Sequence, residues 1–186
     1  MKVKGLKFIS VVIFLFFSIG CSTLSTPSLQ APEYKIENHQ YPSNGSSGFK
    51  PESEFELSWP VKSAILTQKF APPYNPKHDG IDLAAQKNTP IFSAHEGMVI
   101  YAGRKYSGYG KMVIVEYNKT WATLYAHFDR IKVKMGQPVQ SGQLLGFMGR
   151  TGRATGVHLH FELLNKKIPV DPMAFLPPIR STWASH

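Results

Sequence analysis

Cysteine is almost absent from this chain of 186 residues, which contains one, Cys21. A single cysteine excludes an internal disulfide and any zinc site built from cysteine clusters, so a bound metal would need histidine and carboxylate ligands. Acidic side chains are also scarce, with 12 Asp and Glu against 21 Lys and Arg. The seven histidines are therefore the first residues to consider as ligands.

Long hydrophobic runs are lacking as well. The apolar run over residues 8–20 has only thirteen residues, and a helix of that length spans about 20 Å, which is too short for roughly 30 Å of hydrocarbon. It follows a basic segment with Lys2, Lys4 and Lys7, an arrangement typical of a secretory signal. We therefore predict a signal peptide over residues 1–20 and an exported protein.

The end of this run, Ser18-Ile19-Gly20-Cys21, resembles the lipobox of bacterial lipoproteins. That resemblance implies that cleavage leaves Cys21 as the first residue, which carries lipid and anchors the protein to a membrane. Ser22 in place of Asp implies the outer membrane if the cell has one. Ordinary signal cleavage near the same position is the alternative.

The segment over residues 21–56 is rich in Ser, Pro, Asn and Gly and has neither helical nor alternating periodicity. We predict that it is a flexible tether behind the lipidated cysteine, with a root-mean-square span of about 30 to 35 Å. Residues 57–178 are predicted to form the folded domain, and residues 179–186 a short C-terminal tail.

The folded domain is the basic part of the chain, because residues 57–186 hold sixteen basic side chains against seven acidic ones. Such a domain favours polyanions: nucleic acid, anionic lipid or the carboxylate-rich wall of a bacterium. Its short apolar runs are separated by Gly, Pro and Asn every eight to twelve residues or so, which predicts a mainly β, antiparallel domain with long connecting loops. One short helical turn is expected after Pro172, capped by Asp171. The clearest strands are 98–101, 112–117, 122–128, 144–148 and 158–163.

Alternation along two segments predicts where histidines face. In residues 158–163, His158, His160 and Glu162 share one face, with the two imidazoles about 7 Å apart. In residues 123–128 the same rule groups His127 with Thr123 and Tyr125, opposite Leu124, Ala126 and Phe128. A third histidine is therefore expected on a polar strand face.

The segment His78-Asp-Gly-Ile-Asp82 adds two more candidates. Asp82 points away from the core that receives Ile81 and Leu83, and His78 stands four residues earlier across a glycine turn. His78, Asp82 and one of the paired histidines make a set of two imidazoles and a carboxylate, which leaves open the fourth position that a catalytic zinc needs. The remaining histidines could take a proton from water and stabilise an oxyanion.

The other histidines have simpler interpretations. A lone pair of alternating histidines is often only an exposed strand, and it is the combination with the other candidates that favours a site. His39 in the tether and His186 at the last position are expected to be solvated. His95 is interpreted as a turn residue without an identified partner.

At these positions the sequence resembles the M23 family of zinc metallopeptidases, also called LytM or lysostaphin-type, over about residues 59–176. The resemblance implies an antiparallel β-sandwich of that type, one Zn²⁺ held by His78, Asp82 and His160, and a catalytic pair formed by His127 and His158. It also implies hydrolysis of stem or bridge peptides of peptidoglycan. The matching segments are Trp59-Pro-Val61, His78 to Asp82, Thr89-Pro-Ile91, Gly97 to Gly103, Gly108-Tyr-Gly110, Tyr125-Ala-His127, Gly136 to Val139, Gly142-Gln143, Thr151-Gly152, Thr155-Gly156 and His158 to Glu162.

Substrate contacts are predicted around this centre. Arg153, in the glycine-rich loop 149–156, is expected near anionic peptide carboxylates. This loop lacks the GK[ST] ending and leads into a strand, which argues against a phosphate-binding loop. Tyr109 and Tyr125 are candidates for lining a substrate groove, with plain packing as the equal alternative. The segment 70–77 departs from the family pattern and bears on the shape of the cleft.

A second functional class stays open at this point. Degenerate members of the same family bind wall peptide or activate a separate amidase without catalysis, but they typically lose zinc ligands, and this chain has not. Nucleic-acid binding conflicts with export and lacks a recognition helix or stacking motif. Partners in a divisome or an envelope scaffold have no visible sequence signal.

Overall fold

The computed structural model describes residues 55–71 and 73–178. The predicted signal peptide, Cys21, most of the tether, the C-terminal tail and the histidines at positions 39 and 186 lie outside the described residues. Among the residues that are described, no helix has the length and apolar character needed to cross a membrane.

In this part of the chain the structure has eleven strands and one 3₁₀ turn, Pro172–Ala174. The Asp171 carboxylate accepts the Met173 N–H at 2.9 Å, as predicted for a cap. The strands are β1 (Ile65–Gln68), β2 (Ile81–Ala84), β3 (Pro90–Phe92), β4 (Gly97–Gly103), β5 (Met112–Glu116), β6 (Trp121–Ala126), β7 (Phe128–Ile131), β8 (Pro138–Val139), β9 (Leu144–Met148), β10 (His158–Asn165) and β11 (Ile168–Val170).

These strands form two antiparallel sheets. The large sheet has the order β1-β2-β10-β6-β5-β4-β8, with β11 paired to the later part of β10. The small sheet has the order β3-β9-β7. The prediction of a mainly β, antiparallel sandwich is confirmed.

The core lies between the two sheets. The large sheet contributes Leu83 and Phe161, and the small sheet contributes Ile91 and Leu145, all fully buried. Burying each such side chain contributes about 1.5–3 kcal/mol relative to exposure. Apolar packing therefore stabilises the sandwich, with no contribution from disulfides.

Three adjacent strands carry the chemistry of the predicted site. His160 of β10 lies opposite Asp82 of β2 on one side and opposite Ala126 of β6 on the other. Leu159, Phe161 and Leu163 alternate into the core at 0% exposure, so the intervening side chains take the outer face of the sheet. The predicted faces of β2 and β10 are confirmed.

The first described residue already packs against the domain. The Phe55 ring stacks on Trp121, with centroids 4.8 Å apart and an interplanar angle of 6°. Ordered packing thus begins two residues before the predicted start of the folded domain at residue 57. Trp121 lies opposite Asn165, at the end of β10 away from His158.

Candidate metal centre

Three ligand atoms converge at one end of the large sheet. One atom each from His78, Asp82 and His160 lies within 4.8 Å of the other two. Asp82 Oδ1 is 3.1 Å from His78 Nε2 and 2.9 Å from His160 Nδ1. The glycine turn before β2 brings the first histidine to the strand that carries the aspartate, and β10 brings the other histidine alongside.

Hydrogen bonds on the far side of each ring bear on which nitrogen carries the proton. His78 Nδ1 lies 2.9 Å from the Lys69 carbonyl oxygen, which can only accept, so this nitrogen holds the hydrogen and Nε2 of the neutral ring is a bare lone pair. Both nitrogens of His160 lie 2.9 Å from a carboxylate oxygen, Nε2 from Glu162 Oε1 and Nδ1 from Asp82 Oδ1. With its hydrogen on Nε2, the neutral His160 ring offers Nδ1 as a lone pair.

The convergence of these three ligand atoms is the observation that fits a metal. With both rings neutral and their outer nitrogens protonated, two bare nitrogens would each lie about 3 Å from an anionic oxygen, which is repulsive unless a cation lies between them. Tetrahedral zinc, with bonds of roughly 2.0–2.1 Å to nitrogen and oxygen, holds its ligand atoms about 3.3 Å apart. The donor set and its spacing therefore fit a single divalent ion with one position left over.

The local electrostatics favour a cation at the same point. Burial raises the pKa of Asp82, but hydrogen bonds from His160 and His78 outweigh it and hold that pKa well below the usual range. Burial alone would lower the pKa of His160, but the carboxylates of Asp82 and Glu162 raise it to about 9. An imidazole between two carboxylates attracts positive charge.

Two further imidazoles stand beside the three ligand atoms. His127 Nδ1 donates to the Thr151 carbonyl at 2.7 Å, and His158 Nδ1 donates to the Gly156 carbonyl at 3.1 Å. Their ring centroids are 4.7 Å apart. His158 Nε2 lies 3.8 Å from Asp82 Oδ1. Burial lowers the pKa of His127 to about 4, so this ring is neutral near pH 7 with a bare Nε2.

The predicted face of His127 is wrong. Strict alternation placed it with Tyr125, but the strand breaks at His127, whose φ is 65°, between the end of β6 and the start of β7. The left-handed backbone brings the ring to within 6.0 Å of the His160 ring, measured between centroids, on the outer face of the sheet. A non-glycine residue held at positive φ is the kind of local strain that occurs at functional sites.

Tyr125 does not line the cleft, contrary to the substrate-binding prediction. It is fully buried in the core, opposite Phe161 in the sheet and with its ring 5.3 Å from that ring. Its hydroxyl oxygen accepts the Ala94 N–H at 2.8 Å and bonds to the Thr123 hydroxyl at 2.9 Å. Burial raises its pKa to about 12.

Tyr109 is also buried in the protein interior. It is 7% exposed, and its hydroxyl donates to Glu162 Oε1 at 2.8 Å, which agrees with the alternative of plain packing. Arg153 is exposed, and its backbone N–H donates to the Gly108 carbonyl at 2.8 Å. Its contact with substrate stays a prediction.

Sequence reasoning missed two residues. His95, interpreted as a turn residue without a partner, is 2% exposed; its Nδ1 donates to the Glu96 carbonyl at 2.6 Å and its Nε2 bonds to Thr123 at 2.8 Å. Glu162 was placed on the correct face but received no role. Its spacing of two from His160 was the available signal.

Close backbone packing supports His127. Gly110 and Gly152 have φ values of 66° and 75°, and a Cβ on Gly152 would lie 2.4 Å from the Gly108 carbonyl oxygen. This contact holds the loop 149–156 against the loop before β5. The same loop presents the Thr151 carbonyl to His127.

An antiparallel sandwich whose large sheet ends in two imidazoles and a carboxylate within 4.8 Å of one another, with two further imidazoles beside them, has the donor set of a hydrolytic metal centre. The chain belongs to peptidase family M23, whose model matches residues 76–172.

Several relatives of this chain are named for peptidoglycan or murein. It is 41% identical over 141 residues to the peptidoglycan DD-endopeptidase ShyB of Vibrio cholerae, covering 76% of this chain and 30% of the relative. It is 41% identical over 120 residues to the lipoprotein NlpD/LppB homolog of Pseudomonas aeruginosa, covering 64% and 39%. It is 35% identical over 119 residues to the murein hydrolase activator NlpD of Escherichia coli, covering 64% and 31%.

A solved structure agrees with the family assignment. A zinc-containing peptidase from Vibrio cholerae superposes with a TM-score of 0.60 at 38% identity, covering 66% of this chain and 41% of that one. The chain thus spans about a third to two fifths of the length of these relatives.

Proposed function

We propose that the protein is a zinc-dependent metalloendopeptidase that hydrolyses peptide cross-links or stem peptides of bacterial peptidoglycan. The observation that carries this proposal is the convergence of one ligand atom each from His78, Asp82 and His160, all within 4.8 Å of one another. Two more bare imidazole nitrogens stand beside this set, which suits proton transfer next to a metal.

A zinc ion held by these three residues would polarise the substrate carbonyl and lower the pKa of a water molecule toward about 7. The protein's own part is to move the proton. Because both Nδ1 atoms are committed to backbone carbonyls, His127 and His158 each direct Nε2 into the cleft as an acceptor. A proton taken up at either Nε2 turns that ring into a donor, which can stabilise an oxyanion or protonate the leaving amine.

The positive charge of the folded domain and the similarity to named relatives support peptidoglycan as the substrate. The folded domain is basic, which attracts a polymer rich in carboxylates. Arg153 is exposed on the loop that supports His127, where a guanidinium can pair with a peptide carboxylate. The relatives include a protein named as a peptidoglycan DD-endopeptidase.

We also propose that the protein is exported and held on a membrane through lipidated Cys21, facing the periplasm or cell wall, in the outer membrane if the cell has two. The short apolar run, the basic segment before it and the lone cysteine support this placement. A relative named as a lipoprotein supports it further.

The second candidate is a non-catalytic module that binds peptidoglycan or activates a cell-wall amidase. It is favoured by one observation, the similarity to a protein named as a murein hydrolase activator. The complete set of ligand atoms argues for catalysis, because an activator does not need three ligand atoms that converge. Partners in a divisome or envelope scaffold belong to this second candidate.

Digestion of purified sacculi tests the proposal. The zinc-loaded full chain is expected to release new peptide products seen by mass spectrometry, and His160→Ala is expected to release none. Glu116→Gln is the matched control, because it changes a buried carboxyl of the same sheet that is not among the three ligands. If the wild type releases nothing while it and His160→Ala stimulate an amidase equally, the second candidate replaces the first.

A further inference from the structure

The imidazoles of the metal centre are not all held in the same way. His78, His127 and His158 each direct Nδ1 at a backbone carbonyl and leave Nε2 bare. His160 is reversed, because its Nε2 is bound and its Nδ1 faces Asp82. Its outer partner is a side chain, Glu162.

The reversal follows from the position of His160 in the sheet. It lies inside β10, flanked by β2 and β6, where the backbone carbonyls take part in strand pairing. A side chain two residues along the strand lies on the same face and can reach the ring. Glu162 is that residue, with Oε1 at 2.9 Å from His160 Nε2.

The position of Glu162 is energetically unfavourable for a carboxylate. Its side chain is fully buried, and Oε1 accepts from both His160 and the Tyr109 hydroxyl. Among the described residues, Oε2 has no hydrogen-bond partner. Gly80 makes room for this side chain, since a Cβ there would lie 3.0 Å from Glu162 Cγ. A buried carboxylate with one unsatisfied oxygen destabilises a fold, so stability does not explain its presence.

The alternative tautomer shows what the carboxylate prevents. Without an acceptor at Nε2, the ring hydrogen would move to Nδ1 and donate to Asp82 Oδ1, which is 2.9 Å away. That hydrogen would then occupy the direction in which a metal must approach. The ligand atom of His160 would be blocked.

We infer that Glu162, held in place by Tyr109, is a positioning residue that fixes His160 as the Nε2–H tautomer and so presents Nδ1 to the metal. This inference rests on the proposed metal site and deepens it. A carboxylate acceptor behind a histidine ligand also raises the basicity of the nitrogen that binds.

Zinc affinity, measured by competition with a chromophoric chelator, tests the inference in the full chain. Glu162→Leu removes the acceptor and is expected to weaken zinc binding about 10- to 100-fold. Glu162→Gln keeps an oxygen acceptor and should lose less than Glu162→Leu does. Glu116→Gln, a buried carboxyl that is not among the three ligands, should bind as the wild type does. Equal zinc affinity of folded Glu162→Leu and wild type would overturn the inference.

The outcomes for this inference and for the proposed function are separable, because the readout is metal affinity and not hydrolysis. Weaker zinc binding by Glu162→Leu in a protein that cuts no sacculi supports the inference and ends the proposed function. Unchanged zinc binding by Glu162→Leu, in a protein that does cut sacculi, overturns the inference and supports the proposed function.

A measurement on the wild type covers the case in which Glu162→Leu does not fold. Imidazole ¹⁵N NMR of the zinc-loaded protein is expected to show His160 with a protonated Nε2 and a metal-bound Nδ1. A hydrogen on His160 Nδ1, or zinc on Nε2, would overturn the inference.

Discussion

At the scale of single residues, the centre divides its histidines by the direction of one ring nitrogen. His78 Nε2 and His160 Nδ1 face Asp82, whereas the rings of His127 and His158 stand beside these three residues. Ligands and proton carriers are therefore different residues. Removing a proton carrier should leave zinc binding intact.

Alanine at His127 or His158 should separate the two contributions. Each variant is expected to bind zinc within a few-fold of the wild type and to lose about 10²- to 10⁴-fold in sacculus hydrolysis, because proton transfer is lost while the ligands remain. Chelator competition and product release by mass spectrometry measure the two effects. Loss of zinc from both variants would show that these histidines are ligands.

His95 should make the stability of the fold depend on pH. Burial lowers its pKa from 6.5 to about 4, so the unfolded chain takes up a proton first as the pH falls. The free energy of unfolding therefore keeps its full value above about pH 6.5. As the pH drops toward 4, the titration of His95 lowers it, by about 2 kcal/mol at pH 5. Urea unfolding of wild type and His95→Gln at pH 7.5 and 5.0 measures it.

The expected result is that acid narrows the stability difference between wild type and His95→Gln, or reverses it in favour of the variant. The same pH dependence in both proteins would contradict the assignment. Because the comparison is between two proteins with the same metal centre, titration of the ligands cancels.

At the scale of strands and loops, the alternation of polar and apolar residues predicted correctly which side chains of a regular strand face the core. β2 and β10 are continuous and paired on both sides, so their apolar residues had to face the core and their polar residues had to face outward. The break at His127 follows a positive φ that no pattern of hydrophobicity encodes. Tyr125 and His95 were misread because aromatic and imidazole rings are buried or exposed according to tertiary partners.

The loop that supports His127 gives a prediction at this scale. Gly152→Ala would place a Cβ 2.4 Å from the Gly108 carbonyl oxygen and push the loop off its support. Zinc affinity should remain within a few-fold, while hydrolysis falls at least tenfold, because the Thr151 carbonyl no longer orients His127. Gly142→Ala is the matched control, since its φ of 77° is similar but a Cβ there meets nothing within 4 Å.

Both variants carry the cost of a left-handed alanine, about 1–2 kcal/mol. Only Gly152→Ala adds the collision, so urea unfolding should show the larger loss for it. Equal hydrolysis by the two alanine variants would mean that the loop does not position His127.

At the scale of the whole molecule, the three ligand residues and Phe55, the first described residue, lie at opposite ends of the large sheet. Phe55 packs on Trp121, which lies opposite Asn165, five residues along β10 from His160. That separation corresponds to about 17 Å of strand. A membrane anchor ahead of Phe55 would therefore join the domain at the end away from the three ligand residues.

Cys21→Ser tests the proposed anchor. The variant is expected to move from the membrane fraction to the soluble fraction of the envelope, because the acyl chains provide the membrane affinity. Its zinc affinity should be unchanged, since the metal centre lies in the folded domain. Retention of Cys21→Ser in the membrane fraction would contradict lipid anchoring through this residue.

The central claim is that His78, Asp82 and His160 share one metal ion. Anomalous diffraction at the zinc edge from crystals of the zinc-loaded protein tests it directly. The account predicts a single strong peak at bonding distance, about 2.0–2.2 Å, from His78 Nε2, Asp82 Oδ1 and His160 Nδ1. A peak bound through other atoms, or none at this position, would contradict it.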